Sequence, residues 1–187
     1  MIEFELHKSS EVLKKQQLLL YPTDTVWGIG CDATNEDAVS KVFEIKKRSE
    51  SKSLIILVDG VEMLKKYIPT IPINVKELLL NMVKPTTIIY HNPVGLANNV
   101  VSVDKTVAIR IVQHDFCKQL ISKFGKPIVS TSANISGSPT PKSFKEIDKP
   151  ILDSVDYIVN LQHEEVNDKS STIIKVGDNG ELVVLRE

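Results

Sequence analysis

Hydrophobic residues follow two spacings along this chain, one typical of strands and one typical of helices. Short apolar runs that end in polar or turn-forming residues predict buried strands. Such runs predict strands at residues 2–4, 18–21, 54–58, 86–90, 107–111, 127–130, 157–160, 172–176 and 182–185.

Helix starts are indicated by small polar residues placed before periodic apolar sets. Ser9 and Ser10 predict one start, and Asn35 is expected to cap a helix that runs to about Lys46. Asp59 predicts the cap of a short helix after the strand at 54–58.

Two further helices complete the pattern. Apolar residues three and four apart predict one helix near residues 75–82, and residues 115–124 predict another that Gly125 closes. Asp-Asn-Gly at 178–180 predicts a hairpin between the last two strands. Strands alternating with helices before a terminal hairpin predict an α/β fold, with a sheet of mixed direction in a single domain over residues 1–187.

Composition and charge exclude several functional classes. The 187 residues are 42% hydrophobic and 25% charged, and the net charge is −1. A nearly neutral chain is not a general binder of nucleic acids or membranes, so any electrostatic binding requires a local patch. Cys31 and Cys117 are too far apart for a zinc or disulfide pattern. With no signal-peptide pattern and no membrane-spanning run, we expect a cytoplasmic protein without membrane contacts.

One local patch is strongly basic. Residues 41–52 carry five cationic side chains against two anionic ones, immediately before the strand at 54–58. Cations at the mouth of a buried strand suit phosphate or carboxylate ligands. The alternative is a solvated helix end, where Lys and Arg also interact well with the helix dipole.

Short motifs of other enzyme classes fit poorly. G-x-G-x-x-A at residues 28–33 resembles a dinucleotide fingerprint, but the glycines lie too far beyond the strand that ends at Tyr21. S-x-x-K at 49–52 lacks the helix and the K-T-G element of serine acyl-transfer enzymes. The four histidines have no metal-ligand spacing, so we predict no metal site built from protein side chains.

Three hydroxyl-rich turns, at residues 22–25, 130–134 and 170–172, lie at the ends or starts of predicted strands. Loops beyond strand ends converge on the ligand crevice of open α/β sheets. Each turn alone could simply serve turn and cap chemistry. Together with the basic patch, they indicate an anionic ligand.

The same stretches carry a family resemblance. P-T-D-T-V-W-G-I-G at 22–30, K-x-R-x-x-x-K-x-L at 46–54, V-A-I-R at 107–110, P-I-V-S-T-S-A-N-I-S-G at 127–137 and S-S-T-I-I at 170–174 resemble the YrdC family of threonylcarbamoyl-AMP synthases. The resemblance implies a twisted α/β fold with a concave basic groove. It also implies an enzyme that makes threonylcarbamoyl-AMP and pyrophosphate from L-threonine, bicarbonate and ATP. Mg²⁺ would arrive with ATP, and the product would serve tRNA modification, with tRNA or tRNA-modification proteins as partners.

The resemblance assigns roles to twelve residues. Lys46 and Arg48 would be catalytic and would also bind the nucleotide. Threonine would be held by Thr25, Arg110 and Ser130. The other nucleotide-binding residues would be Lys52, Ser132, Asn134, Thr140, Ser171, Thr172 and Arg186.

The chain departs from the family pattern at Ser49 and Ser53, where prolines are usual, and at residues 82–85, where W-P-G-P is typical. Loss of the prolines removes a restraint on the backbone angle φ in the basic loop. The alternative function is therefore an RNA-binding, YciO-like module without synthase activity.

Overall fold

A computed structural model of the protein describes residues 1–49 and 53–187. These residues form nine strands and six α-helices. The strands are β1 (Leu19–Tyr21), β2 (Gly28–Gly30), β3 (Ile55–Val58), β4 (Thr86–His91), β5 (Thr106–Ile111), β6 (Ile128–Ser132), β7 (Tyr157–Ile158), β8 (Thr172–Val176) and β9 (Leu182–Arg186). The helices are α1 (Ile2–Lys14), α2 (Glu36–Lys46), α3 (Val61–Tyr67), α4 (Ile73–Leu80), α5 (Asp115–Phe124) and α6 (Lys149–Leu152).

The strands form one twisted mixed sheet in the order β7-β1-β2-β6-β3-β5-β4-β8-β9. The pairs β7–β1, β3–β5 and β4–β8 are parallel, and the other five are antiparallel. The predicted α/β fold with a mixed sheet and flanking helices is confirmed. The predicted terminal hairpin is confirmed as well, since β8 and β9 pair antiparallel across the turn at 177–181.

Helices α2 and α5 form where their local signals predict them. The Asn35 side chain caps α2 by accepting the amide N–H of Ala38 at 2.8 Å. Helix α5 ends at Gly125, whose φ of 81° is the left-handed conformation that glycine adopts without strain. Cys117 on this helix packs in the core, and its side chain is fully buried.

The prediction for the N-terminal segment is wrong. Residues 2–4 are not a strand, and Ser9 and Ser10 do not start a helix, because α1 already begins at Ile2. Ser9 and Ser10 are instead buried in its interior, on the face it shares with Leu6 and Leu13. Helix α1 contacts α5 and β1, and both serines are buried within it. The hydroxyls resemble a cap signal in sequence, although here they serve packing.

Strand β2 (Gly28–Gly30) is not among the strands that the sequence predicts. A Cβ atom at Gly30 would lie 2.5 Å from the carbonyl oxygen of Val129 and 2.6 Å from the ring of Tyr21. Only glycine therefore fits between β1 and β6 at this point. The G-x-G pair thus forms a sheet strand between antiparallel neighbours, which explains why the dinucleotide fingerprint does not apply.

The predicted cap of α3 is also wrong. Gly60 occupies the cap position, and no side-chain hydrogen bond caps this helix. Within the described ranges, no helix has both the length and the apolar character needed to cross a membrane.

Candidate active site

A cavity of about 370 Å³ gathers residues that are far apart in the sequence. Eight of the twelve predicted site residues line it: Thr25, Arg48, Arg110, Ser130, Ser132, Thr140, Ser171 and Arg186. Two other depressions are larger and more open. Of the predicted residues that the structure describes, the depression of about 530 Å³ contains none, and the one of about 640 Å³ contains only Thr172. The structure therefore brings most of the predicted residues to one place.

Three neighbouring strands supply one wall of the cavity. Strand β6 lies between β2 and β3, with Ser132 opposite Gly28 and Ser130 opposite Ile55. A Cβ atom on Gly28 would stand 3.0 Å from the Ser130 hydroxyl oxygen. Glycine at this position therefore keeps the Ser130 hydroxyl accessible beside the cavity.

Arg110 on β5 is held by a buried ion pair. Its Nη2 lies 3.0 Å from Asp24 Oδ1 and donates to Thr25 Oγ1 at 3.3 Å. The other oxygen of Asp24 accepts the amide N–H of Gln113 at 3.0 Å. Arg110 and Asp24 side chains are only 3% and 8% exposed, so the pair is shielded from water. Thr23 steadies the same loop by accepting the Thr25 amide N–H at 3.1 Å.

Sequence reasoning did not select Asp24, which lies within the P-T-D-T motif. The available signal was an acid between two threonines, directly after a buried strand. A buried guanidinium requires an anionic partner, and Asp24 supplies it.

Arg48 reaches the cavity because of the way α2 ends. Lys47 adopts a left-handed conformation with φ 48°, and its amide N–H bonds the carbonyl of Glu44. The amide N–H of Arg48 then donates to the carbonyl of Phe43 at 3.0 Å, which completes a Schellman motif. The Arg48 guanidinium donates through Nη2 to the carbonyl of Ser53 at 2.8 Å. Burial lowers the pKa of this guanidinium.

Lys46 does not line the cavity, although the sequence predicts a nucleotide contact. Its side chain is among the fully buried ones, at 1% exposure. Nζ donates to the carbonyls of Ser132 and Asn134 at 2.6 and 2.7 Å, and to Asn134 Oδ1 at 3.3 Å. Burial, and secondarily the charge of Arg48, lowers the pKa of Lys46 to about 8. Asn134 likewise lies behind the wall and is 8% exposed.

A second arginine approaches from the C-terminal hairpin. Arg186 donates through Nε and Nη2 to the carbonyl of Ser171, at 3.1 and 2.8 Å. The Ser171 hydroxyl shares a hydrogen bond of 2.8 Å with the buried hydroxyl of Thr87 on β4. Thr140 lies in the same cavity wall, whereas Thr172 faces a neighbouring depression.

Lys52 lies outside the described residues. Nine further cavity residues were given no individual role by the sequence, although Thr131 and Ser170 belong to the predicted hydroxyl-rich turns: Val26, Trp27, Gly28, Ile55, Thr131, Asp168, Lys169, Ser170 and Ile173. Most of them adjoin a predicted motif residue in the sequence. Asp168 and Lys169 precede the hydroxyl-rich turn at 170–172, and only the folded chain places them in the wall.

Among the described residues that line the cavity, Arg48, Arg110, Arg186 and Lys169 are cationic and Asp168 is anionic. The charge of Arg110 is paired with Asp24, which is not among the lining residues. Among the residues described, no group of three or more His, Cys, Asp or Glu side chains is placed to hold a metal ion. Guanidinium groups and hydroxyls together suit ligands that carry carboxylate and phosphate groups.

A sequence profile of the Sua5/YciO/YrdC family, described as "Telomere recombination", matches residues 11–187. A putative threonylcarbamoyl-AMP synthase from Methanocaldococcus jannaschii is 35% identical over 189 aligned residues, which cover 99% of this chain and 88% of that one. A threonylcarbamoyl-AMP synthase from Pseudoalteromonas translucida is 34% identical, with 79% of this chain and 81% of the relative covered.

The fold is also that of a solved relative. The crystal structure of P. abyssi Sua5 complexed with L-threonine matches with a TM-score of 0.88 and 27% sequence identity. The match covers 98% of this chain and 54% of that protein, so this chain spans about half of its length.

Proposed function

The chain belongs to the Sua5/YciO/YrdC family, and on this basis we propose that it is a threonylcarbamoyl-AMP synthase. The substrates are L-threonine, bicarbonate and ATP, and the products are threonylcarbamoyl-AMP and pyrophosphate. One observation carries the proposal: Arg48, Arg110 and Arg186 open into a single cavity together with hydroxyls from three separate turns. Relatives of similar length named for this activity support it.

The reaction joins two anions in the cavity. Bicarbonate and the amine of threonine give a carbamate with loss of water. A carbamate oxygen then attacks the α-phosphorus of ATP, and the bond from that phosphorus to the bridging oxygen breaks. Pyrophosphate leaves with the electron pair. Such a step requires positioning and charge stabilisation more than a covalent nucleophile.

Arg48 is assigned to the nucleotide phosphates. Its guanidinium lines the cavity, and the turn after α2 fixes where the side chain begins. A planar cation with several donors can offset the charge that grows on departing pyrophosphate. Ser132, Thr140, Ser171 and Arg186 are assigned to the rest of the nucleotide. Lys52 and Thr172 keep their nucleotide assignment only as sequence-based proposals.

Arg110, Thr25 and Ser130 are assigned to threonine. They share the cavity, and Asp24 holds the Arg110 guanidinium in a fixed orientation. A fixed guanidinium suits the planar carboxylate of an amino acid. The P. abyssi protein crystallised with L-threonine supports this choice of amino acid.

Magnesium would arrive with ATP. Mg²⁺ is commonly bound by one or two carboxylates together with substrate phosphates and water. The single carboxylate of Asp168 in the described wall fits that pattern. When bound, the ion would neutralise part of the phosphate charge. A cytoplasmic location and delivery of the product to tRNA modification, with tRNA or its modifying proteins as partners, belong to the same proposal.

The proposal is tested by pyrophosphate release from the purified protein. We expect release with threonine, bicarbonate and ATP together, and none when any one of them is omitted. Absence of threonine-dependent release across a range of magnesium concentrations would refute synthase activity. RNA binding that falls steeply with salt, and that ATP and threonine do not displace, would instead favour the RNA-binding alternative.

Arg48→Ala gives the sharpest variant test. We expect turnover to fall roughly 100-fold or more, since removal of a preorganised charge-stabilising donor commonly costs that much. The thermal unfolding midpoint should stay close to that of the wild type. Lys41→Ala, on the exposed side of the same helix, is the matched control and should retain full activity. An active Arg48→Ala protein would exclude the assigned role.

A further inference from the structure

Lys46 is fully committed to protein oxygens. A lysine ammonium has three N–H donors, and three acceptors surround this one: the carbonyls of Ser132 and Asn134 and the Asn134 side-chain oxygen. The side chain is 1% exposed and lies outside the cavity wall. A direct phosphate contact would require the ammonium to leave these oxygens, which are themselves buried polar groups.

Asn134 connects Lys46 to the cavity. Its Oδ1 accepts from Lys46 Nζ and from the Ser132 hydroxyl, the latter at 2.6 Å. Its Nδ2 donates to the carbonyl of Ser138 at 2.7 Å. If the amide were turned over, Nδ2 would face the ammonium and Oδ1 would face a carbonyl. The Lys46 charge therefore fixes the orientation of the Asn134 amide.

The same contacts set the direction of the Ser132 hydroxyl. Because Asn134 Oδ1 can only accept, Ser132 must donate its single proton to that atom. Its oxygen lone pairs are then left for the cavity. Ser132 consequently faces a ligand as a hydrogen-bond acceptor, which suits a ligand hydroxyl, amine or bound water rather than a phosphate oxygen.

Backbone contacts complete the attachment of this loop to α2. The amide N–H of Ser136 donates to the carbonyl of Lys46 at 2.8 Å. A separate bond, from the amide N–H of Ala133 to the carbonyl of Trp27 at 3.0 Å, ties the start of the loop to the residue before β2. Lys46 thus holds residues 132–138 through both its side chain and its main chain. Arg48, two residues further on, projects into the cavity from the same helix end.

From these contacts we infer that the K-x-R motif (Lys46 and Arg48) and the S-x-N motif (Ser132 and Asn134) each contain one positioning residue and one residue that faces the ligand. Lys46 and Asn134 are positioning residues that hold residues 132–138, and Arg48 and Ser132 are the two members that face the ligand. The Lys46 ammonium does not contact the nucleotide. Only the identity of the ligand rests on the proposed function; the loop attachment is a property of the protein alone.

Amide hydrogen exchange without any substrate tests the attachment. In Lys46→Met, three oxygens, two of them in buried contacts, lose their charged donor. Amides of Asn134, Ser136 and Ser138 should therefore exchange at least about tenfold faster. Amides of β3 and β5 should exchange as in the wild type. Lys41→Met makes the same change on the exposed side of α2 and should alter none of these rates. Unchanged exchange at the three loop amides in Lys46→Met would overturn the inference.

A double-variant comparison tests whether the two residues act together. Asn134→Ala should accelerate exchange of the same loop amides, and the double variant should be little faster than the more affected single variant, because both changes break one network. Multiplicative effects would show independent roles and would contradict the inference. If Lys46→Met does not fold, the wild-type ammonium provides a second measurement: with ATP bound, NMR should detect no scalar coupling between the Lys46 ammonium nitrogen and a phosphate phosphorus. A measurable coupling would show direct nucleotide contact and would overturn the inference.

Kinetics separate positioning from a general loss of structure. Lys46→Met should raise the KM for ATP while the KM for threonine stays unchanged, since Arg110 and Asp24 lie outside the Lys46 network. A merely structural defect would lower kcat and leave both KM values alone, and that result would oppose a positioning role. If the wild-type protein releases no pyrophosphate, the proposed function fails, and the exchange results still decide the loop attachment.

Discussion

Asp24→Asn probes the buried ion pair on which the threonine side of the site depends. The change removes one charge, keeps an acceptor oxygen and preserves the size of the side chain. The partner charge on Arg110 is 3% exposed, so water cannot take over the role of the lost carboxylate. The variant therefore isolates the charge of Asp24 from its shape.

The magnitude follows from the geometry. The two charged atoms are 3.0 Å apart, and at that separation an effective dielectric constant of about 20 gives an attraction of roughly 5 kcal/mol. Asparagine retains one hydrogen bond worth about 1 kcal/mol, and a neutral side chain avoids part of the desolvation cost. We expect the unfolding free energy to fall by about 2–4 kcal/mol, as for other broken buried pairs.

Urea unfolding, followed by circular dichroism, measures the loss. Asp153→Asn is the matched control, since it breaks an exposed pair with Lys149 at 2.8 Å. That variant should lose no more than about 1 kcal/mol. A loss in Asp24→Asn no larger than in the control would refute the view that Arg110 depends on a buried counter-charge. A rise in the KM for threonine should accompany the larger loss.

Three further predictions concern Lys47, Gly28 and the two cysteines. Lys47→Gly should raise the unfolding free energy, measured by urea titration, by about 0.5–1 kcal/mol. Lys47 is exposed and holds a left-handed φ of 48°, which glycine adopts without strain. An unfolding free energy below that of the wild type would contradict the strain argument. Gly28→Ala should raise the KM for threonine several-fold, since its Cβ would lie 3.0 Å from the Ser130 hydroxyl oxygen. Gly60→Ala, whose Cβ meets nothing within 4 Å, should leave KM unchanged. Burial raises the pKa of both cysteine thiols, so neither should react with a thiol reagent at pH 8 until denaturant is added. Rapid labelling of the native protein would contradict the burial of the thiols. The raised pKa values also contribute to the free energy of unfolding below pH ~8.5, and this contribution should fade as pH rises above that value.

Elements with complete local signals could be predicted from sequence. Asn35 before an amphipathic run and Gly125 after one each predict a helix end correctly, because caps act within a few residues. Ser9 and Ser10 fail as a cap signal because they lie on the buried face of a helix that already begins at Ile2, and tertiary packing decides that burial. Strand β2 could not be predicted for a similar reason. Glycine is required at position 30 because β1 and β6 approach closely there, and this approach is not visible in the local sequence.

For the candidate site as well, short motifs could be recognised from the sequence, whereas contacts between distant segments could not. Motif resemblance selects Arg48, Arg110 and Ser130, and the structure places all three in the cavity wall. The resemblance cannot tell which motif residues face inward, because that depends on how α2 ends relative to β6. Lys46 is therefore placed behind the wall against expectation. The ion pair between Asp24 and Arg110 could not be predicted either, since the two residues are 86 positions apart in the sequence.

The most direct test of synthase activity follows the carbon of bicarbonate into product. Purified protein would be incubated with threonine, magnesium, ATP and ¹³C-labelled bicarbonate, and the mixture analysed at once by mass spectrometry. We expect threonylcarbamoyl-AMP that carries one ¹³C atom, formed only when threonine is present and strongly reduced in Arg48→Ala. Consumption of ATP without a labelled adenylate, or no consumption at all, would contradict this expectation.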